Sequence, residues 1–149
     1  MRYAGTNLLY PPFKRKLLEA LEECRDSCIP LMIFETFRSR ERQQKLYNKG
    51  RTTTGPRVTG ARPGRSQHQY GIAADLVLWI DGKWTWKETH LYRDAGPIFE
   101  RHGLTWLGRN TSDLVHYQLP LHVDIDSLDA LYDAIGFEGV WQWLDKNMG

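Results

Sequence analysis

The run GIAADLVLWIDGKWTW, Gly71 to Trp86, constrains the fold of this chain more than any other stretch. DLVLWI (Asp75 to Ile80) is an unbroken apolar, β-prone segment of strand length. Asp81-Gly82 is a hairpin turn signal, and KWTW reads as the returning strand. The anomaly is at the front. Asp75 leads the apolar run, and His68 precedes it by seven residues in GRSQHQYGIAADL. A carboxylate at the head of a buried strand is costly unless something positive meets it. Gly71, Ala73 and Ala74 lie between the two, small enough to let backbones approach closely.

The elements around this hairpin give the fold class. Pro12 to Cys28 has the apolar spacing of an amphipathic helix, with Pro30 after it. Leu31 to Phe37 (LMIFETF) is a strand. Ser39 caps a second helix, RERQQKLYNKG, closed by Gly50. Thr52 to Gln67 has no periodicity, and loops of this length inside a small domain are usually functional. Beyond the hairpin, a helix is expected over Asp94 to His102. LTWL and VHYQL are short strands, and two helical stretches after Ser127 are broken near Gly136. This order predicts an α+β fold, a small antiparallel sheet with helices packed on one side.

Composition narrows the function classes. At 149 residues the chain is expected to form a single domain, residues 1–149, around one core. A formal net charge of +2 argues against a nucleic-acid binder. The local cluster of arginines between Arg51 and Arg65 favours an acidic partner, or is simply a solvated loop. Cys24 and Cys28, four apart on one helix, are expected to pack as small apolar residues rather than bridge. MRYAGTNLLYPPFKRK lacks the apolar core of a secretory leader, and no segment is long enough for membrane insertion. The expectation is a monomer made in the cytoplasm.

His68 and Asp75 carry two of the side-chain types that bind Zn²⁺, and a catalytic zinc normally has three protein ligands. On their spacing alone, a solvated histidine and a turn-capping aspartate explain them better. TSDLVHYQL changes the balance. It offers His116 as a third ligand and Asp113, three residues earlier, as a carboxylate base for a water whose pKa the metal lowers to about 7.

SQHQYGIAAD fits S-x-H-x-x-G-x-A-x-D, the pattern of the zinc D-Ala-D-Ala carboxypeptidases and L-alanyl-D-glutamate endopeptidases. These peptidoglycan peptidases include many phage endolysins. TFRSRERQQKLYNKGRT resembles the family's arginine-bearing segment, and HGLTWLGRNTSDLVHYQL its closing segment. The three matches fall in order over residues 30 to 119.

The resemblance implies one zinc ion at the sheet centre, held by His68, Asp75 and His116, with Asp113 as general base. It implies that Arg38 binds substrate or stabilises the oxyanion, and that Ser66 hydrogen-bonds near the site without acting as a nucleophile. The peptidoglycan stem peptide would be the substrate. Asp113 three residues before the histidine matches the endopeptidase branch, so L-Ala–D-Glu cleavage is expected, with a D-Ala-D-Ala carboxypeptidase or dipeptidase as the alternative. Val115 and Tyr117 depart from the proline and phenylalanine common in endolysin-type members. Phage lysins of this kind reach the wall after release from the cell.

Two other classes compete. One is a non-catalytic wall-binding module of the same fold, which would have no chemical need for Asp113. The other is a glycan-cleaving lysin, which would use paired carboxylates without metal. His122 and Asp124 form a second metal-like pair, expected to meet solvent. Trp84, Trp86, Trp141 and Trp143 are expected in the core, with carbohydrate stacking the minority reading. Arg38, beside Glu35 and Glu41, would read as an ion-paired residue without the resemblance.

Overall fold

A computed structural model describes residues 1–148. Helix α1 (Pro11–Asp26) leads into strand β1 (Leu31–Glu35) and helix α2 (Arg40–Asn48). A 3₁₀ turn (Gln67–Tyr70) precedes the hairpin β2 (Ala73–Ile80) and β3 (Lys83–Thr85). Helix α3 (Thr89–Arg101), strands β4 (Thr105–Trp106) and β5 (His116–Gln118), and helix α4 (Ile125–Asn147) complete the fold. The strands form one antiparallel sheet in the order β1-β2-β5-β4, and β3 pairs with the far end of β2.

Alternation along β2 sorts its residues between two faces. Ala74, Leu76 and Leu78 join the main core with Phe13 and Leu17 of α1 and Phe99 of α3. Tyr117 of β5 points the same way and stacks on Phe99, with ring centroids 4.0 Å apart. Ala73, Asp75, Val77 and Trp79 therefore belong to the opposite face. This is the α+β sheet with helices on one side that the sequence predicts.

Four local expectations are corrected. α1 stops at Asp26, not Cys28. Cys28 has φ 61°, and the Ile29 and Cys28 amides bond back to the Cys24 and Arg25 carbonyls, a left-handed helix cap formed without glycine. Cys24 is buried as expected, but Cys28 is exposed beyond the helix. α3 begins five residues before Asp94 because buried Tyr92 anchors it: the Tyr92 hydroxyl donates to the Thr85 carbonyl at 2.7 Å and accepts from the Leu78 amide at 3.0 Å. Trp86 is half exposed instead of buried. The break near Gly136 is present as a residue at φ 77° inside α4.

Two glycines set distances around the site. Gly71, at φ 71°, ends the 3₁₀ turn, and a Cβ there would collide with the Leu8 carbonyl. Its own carbonyl accepts from the Tyr10 amide at 2.8 Å, so the turn is locked to the segment before α1. Gly96 on α3 leaves room for the Trp106 ring against the helix backbone. Trp106 Nε1 then donates to the Leu114 carbonyl at 2.9 Å, which fixes the loop carrying Asp113.

Candidate metal centre

Each candidate ligand comes from a different element. Asp75 and His116 are direct cross-strand partners in β2 and β5, so the pleat turns both side chains to the same face. His68 is delivered by the 3₁₀ turn, whose start Ser66 caps by accepting from the His68 amide at 3.3 Å. One ligand atom from each of His68, Asp75 and His116 lies within 4.8 Å of the others. Asp75 Oδ1 is 3.5 Å from His68 Nε2 and 3.4 Å from His116 Nδ1.

The outer contacts of both rings fix which nitrogen faces inward. His68 Nδ1 sits 2.6 Å from the Thr36 carbonyl, which only accepts, so Nδ1 carries the hydrogen and the Nε2 lone pair is free. That Nε2 is buried without a hydrogen-bond partner. His116 Nε2 donates to Gln118 Oε1 at 2.8 Å, which leaves Nδ1 to face Asp75. Two imidazole lone pairs and a carboxylate converging on one point, each ring braced by an acceptor behind it, are the donor set and outer support that a zinc ion takes. The residues fit the ion.

Electrostatics answer the opening anomaly. Burial would raise the Asp75 carboxyl, but His68 and His116 outweigh it and hold the group well below the usual carboxylate range. Arg38 adds an ion pair to Asp75 Oδ2 at 3.0 Å. Burial would likewise lower the His116 imidazole, but Asp75 stabilises the ring in its protonated form by a hydrogen bond and by charge, and pushes it up instead. Asp113 lies exposed at the cleft rim, yet surrounding protein atoms desolvate its carboxyl enough to raise it. The neighbouring Asp75 charge adds to that rise, while His116 and His68 oppose it.

Asp113 and the three candidate ligands line one open cleft of about 650 Å³. Its wall on one side is the long loop, through Val58 to Ala61 and Arg65 to Gln67. Arg38 lines the cleft too, with Nε 3.1 Å from Glu35, Nη1 donating to Gln43 at 3.1 Å and Nη2 to Asp75. Glu35 is buried between Arg38 and Arg42, whereas Glu41 is exposed and not engaged with Arg38. Ser66 lines the cleft with its hydroxyl spent on the turn.

The competing pair is not brought together as a site. Asp124 caps α4 by accepting from the Ser127 amide at 2.8 Å, and His122 is exposed. Of the loop arginines, Arg62 reaches Tyr47 and Arg65 pairs with Asp126 at 2.8 Å. Sequence reasoning missed the supports: the Thr36 carbonyl, Gln118 and Gln43. Gln118 had a signal, since it lies two residues from His116 on a strand and so shares its face. Among the described residues no helix is long and apolar enough to cross a membrane.

Comparison with known proteins bears on this arrangement. Residues 7–114 match the family model VanY, D-alanyl-D-alanine carboxypeptidase. Over 70 residues the chain is 40% identical to the peptidoglycan L-alanyl-D-glutamate endopeptidase CwlK of Bacillus subtilis (strain 168). That match takes in 47% of this chain and 42% of the relative, less than half the relative's length. The L-Ala D-Glu endopeptidase ChiX of Serratia marcescens has a similar fold, with TM-score 0.58 and 24% identity over 80% of this chain and 90% of that one. So does a vancomycin-resistance D,D-pentapeptidase VanY variant in complex with Zn(II), with TM-score 0.55 and 20% identity over 86% and 80%.

Proposed function

The chain belongs to the VanY family of D-alanyl-D-alanine carboxypeptidases, and from that premise we propose a zinc-dependent peptidase that hydrolyses the stem peptide of peptidoglycan. The observation that carries the reading is the convergence of His68, Asp75 and His116 in the cleft that also holds Asp113. A glycan-cleaving enzyme has no use for two braced imidazoles around a carboxylate, and a binding module has no use for a desolvated base beside them.

His68 Nε2, Asp75 and His116 Nδ1 would hold the ion. When bound, zinc supplies Lewis-acid polarisation of the scissile carbonyl and acidifies water. Asp113 is the proton carrier: its raised pKa suits a carboxylate that takes a proton from the attacking water and gives it to the departing amine. Arg38 holds Asp75 in its ligand orientation, and its remaining N–H donors are available to a substrate oxygen. Ser66 keeps the His68 turn in place and takes no covalent part.

The preferred bond is L-Ala–D-Glu, supported by the likeness to CwlK and by Asp113 three residues before His116. The family description favours terminal D-Ala release as the second reading. Mass spectrometry of peptidoglycan digests decides between them. New L-Ala and D-Glu termini, lost with chelator and restored by zinc, are the expected result. Released D-Ala moves the enzyme to the second reading, and no peptide cleavage by zinc-loaded protein rejects both.

A further inference from the structure

The face of the sheet that carries Asp75 and His116 continues into an aromatic surface that the peptidase chemistry does not use. Trp79 lies four residues beyond Asp75 on β2, hence on the same face, and pairs directly with Trp84 of β3. Trp86 follows β3 directly and borders the cleft that holds Asp75. Phe34 approaches from β1, its ring edge-on to Trp84 at 5.1 Å and to Trp86 at 5.5 Å. Trp79 meets Trp84 at 5.0 Å, also nearly perpendicular. Trp86 and Phe34 line the same cleft as the metal centre.

This surface is built, not loose. Edge-to-face contacts hold each ring in place, and the Arg2 guanidinium lies 3.9 Å over the Phe34 ring. Trp86 nevertheless stays 50% exposed and Trp79 39%, so two fixed indoles meet solvent along a line leading away from Asp75. Fixed, exposed aromatic side chains beside a binding cleft lose little entropy on binding and present faces that attract the C–H surface of a ring without demanding charge.

We propose that this row is a subsite for N-acetylated amino sugar, so that the enzyme grips the glycan strand while the adjoining metal centre works on the peptide attached to it. The proposal rests on the peptidase reading and deepens it. A stem peptide joins its amino sugar through the L-Ala nitrogen. A scissile bond after that first residue leaves the sugar ring one residue plus its lactyl arm, about 7 Å of chain, from the reacting carbonyl. The sugar must then sit on whatever borders the metal centre, and on the open sheet face the border is Trp86. Continuity of the row with the cleft is what selects a glycan over a second copy of this chain.

The test separates the sugar site from the peptidase. Tryptophan fluorescence of wild-type protein titrated with the β-1,4-linked tetramer of N-acetylglucosamine should saturate, and Trp86→Ala and Trp79→Ala should each weaken that binding about tenfold, as for a stacked interface tryptophan. Both side chains are exposed, so a circular dichroism spectrum and melting point close to wild type are expected. In parallel, Trp86→Ala should lower kcat/KM more for a glycan-linked muropeptide than for the free stem peptide. Absence of saturation in the wild type, or unchanged binding in both variants, overturns the sugar site. Equal loss on the two substrates would make Trp86 a mere cleft wall, and loss of a concentration-dependent dimer on Trp86→Ala would assign the row to self-association. If wild type cleaves neither substrate, the peptidase reading fails while the titration still decides the sugar site.

Discussion

The two faces of β2 differ in what closes them. On one face Ala74, Leu76 and Leu78 are covered by α1 and α3 and have no exposure. On the other, Asp75 keeps 13% of its side-chain surface, Val77 is buried and Trp79 is 39% exposed. The same eight-residue strand thus serves the core with its even-numbered residues and the cleft with its odd-numbered ones. The first face anchors the strand so firmly that the second can hold three ligands from separate elements within 4.8 Å. Precision on the open face is a consequence of close packing on the closed one.

The contrast can be broken most sharply from the open side. Asp113→Asn removes the base without touching a ligand, and is expected to lower kcat about a hundred- to ten-thousand-fold with zinc content unchanged. Near-normal turnover would remove Asp113 from the chemistry. Gln118→Ala takes away the acceptor behind His116 and should weaken zinc binding about 10- to 100-fold, measured by competition with a chromogenic chelator. An unchanged affinity would mean that the strand alone orients the ring.

Two further changes probe the seam and the closed side. Gly71→Ala forces a side chain into a left-handed position against the Leu8 carbonyl, and should cost roughly 2 kcal/mol or more in a denaturant titration. Because the turn carrying His68 would shift with it, zinc affinity should fall in the same variant. The smallest effect is chemical. Burial pushes the Cys24 thiol up to about 12, so at neutral pH alkylation should modify Cys28 alone and reach Cys24 only after unfolding. Modification of both thiols in the native state would show that the helix-covered side opens.

The difference between the faces also explains how much the sequence disclosed. The apolar run from Leu76 to Ile80, the Asp81-Gly82 turn and the amphipathic stripe of α1 announce the closed side, because burial leaves a period that can be read locally. His68, Asp75, Asp113 and His116 stood out as polar exceptions beside apolar strands, and their joint motif carried the rest. Of the supports only Gln118 left a signal, by its place two residues from His116. Thr36 acts through its carbonyl, which every residue has. Gln43 became a partner of Arg38 only when α2 folded over β1, whereas Glu35, three residues before Arg38, was already legible as its ion-pair partner. The end of α1 misled because Cys28 takes a left-handed conformation usually left to glycine, and Trp86 because strand alternation does not say which face a helix will cover.

The central claim is that the open face of the sheet is a zinc site whose key ligand is the carboxylate at the head of a buried strand. Metal analysis of purified wild type and Asp75→Asn, both loaded with zinc and freed of excess by gel filtration, tests it most directly. The account predicts about one zinc per wild-type chain and almost none in the variant, by the three-ligand requirement of a catalytic zinc. Equal zinc in two folded proteins would contradict it.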